Sequence, residues 1–544
     1  MSAASSVSSA FTQTCSRFGG KPFLYVPGSV AETYGIDAGT ITYDDMLREV
    51  ERLCATYAAA GYGPGHRVGL MLDNRPAFIA HWFALNSLGA SVVPINAELG
   101  ASEQAYLLDL GEVCLLVIDS AHVEAAAAAR AALGRELTEV DAALMDPLPG
   151  VSVPASAGSI AKDTECAVLF TSGSTGQPKA CLLSNEYFLE MGDWYLNLGG
   201  LCALETGSER LLTPLPLTHM NAMATSLMAM VATGGCLVQL DRFHASTWWQ
   251  TVREAEPTVI HYLGVMPAIL LQLPPTKEEV VPGIRFGFGA GVNSAHHAIF
   301  EERFGFPLTE GWAMTETGAG GCIAANREPR HVGRSCFGKP DPDRIEFRLV
   351  DEAGRDVLFG EAGELLVRAA GADPRKGFFS GYYRNDAATA EGWAGGWWHT
   401  GDVVKQLDDG SMCFVDRRKN IIRRSGENIA ALEVEAVLSR HDAPNVLAVT
   451  PVPDEIRGEE VMACVVLDDG YAATAELAAD IFDHCMDALA YFKAPGYIAF
   501  VDALPLTATQ KPKRNEIKTF ARDLLGDASG VVFDLRDRKR KQTA

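Results

Sequence analysis

One stretch, Leu169-Phe170-Thr171-Ser172-Gly173-Ser174-Thr175-Gly176-Gln177-Pro178-Lys179, gathers hydroxyls, glycines and a lysine into a turn that follows an apolar run. These residue types suit phosphate. Glycine lets the backbone approach an anion, N–H and hydroxyl groups donate hydrogen bonds, and Lys179 adds a full positive charge. The common nucleotide loop has its lysine directly after the second glycine, whereas here Gln177 and Pro178 intervene. The same composition also suits a plain surface turn, so its meaning rests on what else the chain carries.

Four further segments follow in order: Gly311-Trp312-Ala313-Met314-Thr315-Glu316-Thr317-Gly318, Trp398-His399-Thr400-Gly401-Asp402, Asp416-Arg417-Arg418-Lys419 and Thr507-Ala508-Thr509-Gln510-Lys511. With the loop they resemble the adenylate-forming superfamily of acyl-CoA synthetases, peptide-synthetase adenylation domains and luciferases, a likeness that runs from about residue 42 to about residue 518. Residues 214–222 (PLPLTHMNA), 243–249 (FHASTWW) and 261–264 (HYLG) look most like the carnitine/crotonobetaine-CoA ligase branch.

The resemblance implies a two-step reaction. A carboxylate attacks the α-phosphate of ATP to give acyl-AMP and pyrophosphate, and the thiol of CoA then displaces AMP. It assigns Thr171, Ser172, Gly173, Ser174, Thr175, Gly176 and Lys179 to the β- and γ-phosphates. Thr315 would meet the α-phosphate, and Glu316 would hold Mg2+. Gly289, Ala290, Gly291, Glu310, Gly311 and Trp312 would line adenine, although an aromatic at 312 also suits core packing. Asp402, with Arg417, would hold ribose hydroxyls, a role that a turn-capping aspartate would mimic. Lys511 would enter from a small C-terminal unit to stabilise charge during adenylation, where a bland reading makes it a solubilising lysine. Lys419 would be the hinge, and Gly426 and Glu427 would line a thiol tunnel, with a turn cap as the plain reading of Gly426. His219 would gate the carboxylate or serve as a buried core histidine. Trp248, Trp249, Tyr262 and Trp312 could face a quaternary ammonium or belong to the core. A carrier-protein acceptor, luciferase-type oxidation and a non-catalytic nucleotide binder remain alternatives.

These residues need a large scaffold. At 544 residues, 48% hydrophobic and 21% charged, the chain exceeds one ordinary core and reads as globular. The formal charge of −23 argues against non-specific nucleic-acid or anionic-membrane binding, so a site for polyanions must be locally basic, through Lys179, Arg417, Arg423 and Lys511. The 12 cysteines show no C-x-x-C pair and read as buried apolar residues in a reducing compartment. With no signal or membrane-length apolar run, the expectation is a cytoplasmic protein acting on a small-molecule carboxylic acid, with a homodimer possible.

Residues 43–60 and 75–88 read as helices and 67–72 and 91–94 as strands, the alternation of α/β layering with mostly parallel sheets. Residues 121–133 read as an exposed helix, 147–158 as a surface loop and 167–170 as the strand feeding the phosphate-type loop. Strands at 345–350 and 363–368 suggest a small β-rich subdomain. The expected boundary divides a large unit, 1–418, from a mobile α+β cap, 419–544, with a helix at 429–440, strands at 446–452 and 461–467 and a helix at 475–488. The basic run 536–541 reads as a solvated, disordered end.

Overall fold

The computed structural model describes residues 4–171, 178–277, 279–424, 427–454, 457–506, 512–526 and 532–539. Helix Tyr43–Ala59 begins at Thr42, whose hydroxyl accepts from the Asp45 amide while the Asp45 carboxylate accepts from the Thr42 amide. Met46, Val50, Leu53 and Tyr57, spaced by three and four, are its buried face. Helix Pro76–Ser87 opens on a proline, which lacks the N–H that a first turn would leave unpaired, and is buried on nearly every side.

Two large sheets form the N-terminal part. One has seven strands in the order Gly381–Tyr382, Lys179–Ser184, Glu165–Thr171, Ser91–Pro94, Arg67–Met71, Leu115–Ile118 and Thr138–Asp141. The other has eight, with Val259–Leu263, Phe286–Ala290 and Leu308–Trp312 as parallel neighbours. Inner strands such as Leu115–Ile118 are buried at every position, which is why they read as unbroken apolar runs. A five-stranded antiparallel sheet, which includes Ile345–Val350, Ala362–Ala369, Trp398–Gln406 and Met412–Arg417, supplies the β-rich part.

The C-terminal part is α+β: six strands with helices Ala431–Leu438, Ala475–Ala488 and Arg514–Gly526. One apolar cluster draws on residues from Ala4 to Met412 and another on residues from Ile422 to Leu535, and the short 3-10 turn Arg418–Asn420 lies between them in sequence. All twelve cysteines are free, ten of them buried, as expected of small apolar residues. Among the described residues no helix is long and apolar enough to cross a membrane.

Three local expectations are corrected. The helix read at 429–440 begins at Ala431, because Ile429 belongs to strand Glu427–Ala430 and packs beside its partner Ile422. Helix Val123–Leu133 is not wholly exposed, since Ala126 and Ala129 face an apolar cluster. The basic end is built into the fold as far as Lys539: Arg536 pairs with Asp454 and Asp534, Arg538 with Asp483, and Lys539 is buried against Glu460. Acidic partners distant in sequence turn a run that looked solvated into an anchored one.

Candidate active site

Strand Glu165–Thr171 pairs antiparallel with Lys179–Ser184, so Thr171 and Lys179 face each other at the two ends of the glycine-rich loop. Residues 172–177, including Ser172, Gly173, Ser174, Thr175 and Gly176, lie outside the described residues. The Thr171 hydroxyl donates to Glu316 Oε1 at 3.3 Å, and the phenol of Tyr382 donates to the same oxygen at 2.7 Å. The Lys179 ammonium lies 4.6 Å from the centre of the Tyr382 ring. The end of strand Glu165–Thr171 and a glutamate 145 positions further along the chain thus meet at one buried carboxylate.

The segment carrying Glu316 is tightly held. The Phe379 amide donates to the Glu316 carbonyl at 3.0 Å, and the Thr317 hydroxyl accepts from the Met314 amide at 2.9 Å. Gly318, at φ +46°, has no room for a side chain, since a Cβ there would lie 2.4 Å from the Gly377 carbonyl oxygen. Thr315 is half-buried beside Glu316. A single buried carboxylate held by hydroxyl donors and close to a lysine fits Mg2+ arriving with phosphates. That ion is usually bound through one or two carboxylates plus substrate oxygens. Groups of three or more metal-ligating side chains are absent among the described residues.

A second cluster lies beside the first. Asp402 is buried, with Arg417 Nε 2.9 Å from its Oδ1 and Trp312 Nε1 donating to its Oδ2 at 2.9 Å. The alternative reading of Asp402 as a turn-capping aspartate is set aside. The residue lies within strand Trp398–Gln406, in register with Arg417 on Met412–Arg417, and Gly401 at φ +68° supplies the local kink. Burial pushes the Asp402 carboxyl upward, and the negative charges of Asp416 and Glu316 push the same way, against Arg417 and Trp312. Glu316 and Asp402 are therefore near enough for their charges to oppose each other. Trp312 is buried, packs against Phe337 with ring centres 5.9 Å apart, and is fixed by Asp402.

The wall expected to meet adenine is a parallel strand pair ending in Gly289, Ala290 and Gly291, the last at φ +79°. Gly264 lies so close that a Cβ there would be 1.7 Å from the Gly291 carbonyl oxygen. Glu310 sits buried beneath the wall. Its Oε1 accepts from the Val292 amide at 2.9 Å, its Oε2 has no hydrogen-bond partner among the described residues, and burial raises its carboxyl above the usual range. Gly311 follows it on strand Leu308–Trp312, where a Cβ would crowd Phe288.

Of the two readings of His219, the core histidine is set aside, because the residue is exposed just before the π-helical segment Asn221–Ser226. Beneath that segment His261 is fully buried, with Nδ1 2.7 Å from Ser226 Oγ and Nε2 2.9 Å from the Tyr195 hydroxyl. Burial pushes its pKa down to about 3, so the ring is neutral. Trp248 and Trp249 are in edge contact with ring centres 6.5 Å apart and are buried against Phe243 and Phe304 respectively, and the Tyr262 hydroxyl donates to the Thr309 carbonyl. Gly426 and Lys511, and the side chains of Lys419 and Glu427, lie outside the described residues. Sequence reasoning missed Tyr382. Its only signal was a tyrosine directly after Gly381 in a two-residue strand, which looks like packing.

Residues 11–383 match the family model described as AMP-binding enzyme, and residues 433–511 match that of the AMP-binding enzyme C-terminal domain. The chain is 29% identical over 517 residues to crotonobetaine/carnitine–CoA ligases of Escherichia coli and Escherichia fergusonii, covering 90% of this chain and 95% of those proteins. In fold it is similar to an anthranilate CoA ligase in complex with anthranoyl-AMP, with a TM-score of 0.81 and 22% identity over 96% of this chain and 98% of that one. It is likewise similar to o-succinylbenzoate CoA synthetase from Bacillus subtilis, with a TM-score of 0.78 and 24% identity over 94% and 97% of the two chains.

Proposed function

The chain belongs to the AMP-binding enzyme family, and from that premise we propose that it is an ATP-dependent ligase joining a small carboxylic acid to CoA through an acyl-adenylate. The observation that carries this reading is the meeting of Thr171, Lys179 and Tyr382 with Glu316 next to the pair Asp402–Arg417. A phosphate-type loop end, a carboxylate suited to a cation and a carboxylate suited to ribose hydroxyls are what ATP needs within one site.

In the first step a carboxylate oxygen attacks the α-phosphorus, the bond to the bridging oxygen breaks, and pyrophosphate leaves. Two anions must approach each other, so the protein's task is to neutralise charge and hold attacker and leaving group in line. Lys179, Thr171 and the hydroxyls of residues 172–175 serve the departing pyrophosphate, and the Thr315 hydroxyl serves the α-phosphate. Bound at Glu316, Mg2+ would supply positive charge to the phosphate oxygens. Asp402 accepts from the ribose hydroxyls, while Trp312 and Arg417 orient its carboxylate and oppose the upward push of burial.

Lys511 adds a cation during this step only. In the second step the CoA sulfur attacks the acyl carbon, its proton passes to solvent, and AMP leaves with its new oxygen. Because the thiol needs the path that Lys511 occupied, residues 419–544 act as a cap that turns about Lys419 relative to residues 1–418. Gly426 and Glu427 then line the thiol's approach.

The acid is a small carboxylate. The likeness to crotonobetaine/carnitine–CoA ligases recommends quaternary-ammonium acids as one arm of a panel, beside short-chain, branched and aryl acids. Scoring that panel for pyrophosphate release, with and without CoA, tests the assignment. At least one acid should release pyrophosphate without CoA and turn over steadily with it. Steady turnover only with an acylatable carrier protein would move the acceptor.

A further inference from the structure

Two cysteines face each other at the edge of the five-stranded sheet. Strand Cys336–Gly338 pairs antiparallel with Met412–Arg417, and Cys336 is in register with Cys413. The Phe414 amide donates to the Ser335 carbonyl at 2.9 Å, so Ser335 and Phe414 are the hydrogen-bonded pair and Cys336–Cys413 is the unbonded position beside it. Opposed residues at such a position have Cα atoms about 4.5 Å apart and side chains on one face of the sheet. A disulfide spans Cα separations of roughly 4.4–6.8 Å, so the bond can form here with little backbone movement. Cys181, Cys236 and Cys464 also lie in strands, but they face Leu169, Arg210 and Ala448.

The two thiols are chemically unequal. Cys336 is pushed below the ordinary thiol value, first by the hydrogen bond from Cys413 and further by the Gly338 amide and His331, with burial opposing. Cys413 is pushed up in turn. Burial raises the other ten thiols, which leaves Cys336 the most thiolate-like cysteine of the chain. Both members of the pair are buried, yet strand Cys336–Gly338 has three residues and closes no further strand, so a brief local opening admits a solute as small as a peroxide.

Both strands also bear on Asp402. Phe337, next to Cys336, packs against Trp312, which donates to Asp402, and Arg417, on the strand of Cys413, pairs with the same carboxylate. Gly338 is pressed against Ala324, whose carbonyl oxygen a Cβ there would meet at 2.2 Å. A pull on Cys336 toward Cys413 is therefore taken up at Phe337.

We propose that Cys336 and Cys413 are a modification site, which a peroxide converts to a cross-strand disulfide, and that this bond weakens nucleotide binding through Phe337, Trp312 and Asp402. The Cys336 thiolate attacks one peroxide oxygen, the O–O bond breaks, and the hydroxide released takes up a proton and leaves as water. The Cys413 sulfur then attacks the sulfur of the resulting sulfenic acid, the S–O bond breaks, and a second water leaves with the Cys413 proton. Two thiol hydrogens and two electrons pass to the peroxide, and a dithiol reductant reverses the change. The effect on binding rests on the reading above of Asp402 as acceptor for ribose hydroxyls.

The test treats the full-length chain with hydrogen peroxide, blocks remaining thiols by alkylation, and weighs the digested peptides. A pair of peptides joined through Cys336 and Cys413 should appear before any other cysteine is oxidised, and dithiothreitol should release it. By calorimetric titration the disulfide form should bind AMP roughly fivefold or more weakly than the reduced form. Cys413→Ser should stop at a Cys336 sulfenic acid, and Cys336→Ser should show neither the link nor a change in AMP affinity on peroxide treatment. The wild-type measurements stand if either variant does not fold. Absence of the joined peptides, or earlier oxidation elsewhere, would overturn the site, and a complete link with unchanged AMP affinity would overturn its effect. Reduced wild type that binds no AMP would instead overturn the reading of Asp402, while the joined peptides still decide the site.

Discussion

Tyr382 and Glu316 are joined by a 2.7 Å hydrogen bond in which a buried phenol donates to a buried carboxylate. Burial and the negative charge of Glu316 both raise the phenol's pKa, so it remains a donor across the working pH range. If Glu316 holds Mg2+ as proposed, the pair fixes where it meets the ion. Tyr382→Phe removes a hydrogen bond to a charged group, worth about 1.5–3 kcal/mol, and should raise the half-saturating Mg2+ concentration roughly tenfold or more. Mn2+ binding to the enzyme with ATP, followed by electron paramagnetic resonance, reads the same change without turnover. Unaltered metal affinity would separate Tyr382 from the metal site.

Asp402 supports a prediction in which affinity and stability part. Since burial raises its carboxyl pKa, the ionised group weighs against folding at neutral pH, and a neutral amide of the same shape removes that burden. Asp402→Asn should therefore weaken AMP binding about tenfold or more while the melting temperature stays at or above that of wild type. Calorimetric titration and thermal unfolding check the two halves. A large fall in melting temperature would show that the Arg417 and Trp312 contacts outweigh the burial cost.

Acid stability should depend on Glu301. Its carboxylate is held by Arg330 and His297 and accepts from the Leu308 amide, which brings its pKa down to about 2 although burial opposes them. For a carboxylate with a lowered folded pKa, the unfolded chain takes up protons first as pH falls. The stabilisation is thus complete above the unfolded value of about 4.3 and is lost as pH falls through 2. Glu301→Gln should flatten the dependence of unfolding free energy on pH across that window. An unchanged acid limb would contradict the pairing.

Lys511 separates the two half-reactions. Lys511→Ala should lose roughly a hundredfold or more in acyl-adenylate formation and keep thioester formation from supplied acyl-AMP. Single-turnover measurement of each half-reaction decides it, and equal loss in both would remove the alternating cap.

The residues proposed for the reaction stand out in the sequence because their chemistry is local. Hydroxyls, glycines and Lys179 crowd one turn, and Thr315 and Glu316 stand between small residues. The layered fold was legible for a similar reason, since parallel strands buried on both faces read as apolar runs between amphipathic helices. What stayed hidden depended on partners far along the chain. Tyr382 looks like packing until Glu316 is beside it, Asp402 looks like a turn residue until Arg417 pairs across the strands, and the basic run at 536–539 looks solvated until Asp454, Asp483 and Glu460 are counted.

The central claim is that a carboxylate oxygen becomes bonded to the α-phosphorus before any thiol arrives. Supplying an active acid with both carboxylate oxygens replaced by oxygen-18, and weighing the products after one turnover with ATP and CoA, tests that bond directly. The account predicts one labelled oxygen in AMP, one in the thioester carbonyl and none in pyrophosphate. Unlabelled AMP with labelled pyrophosphate, or ADP with labelled phosphate, would place the attack at another phosphorus and contradict it.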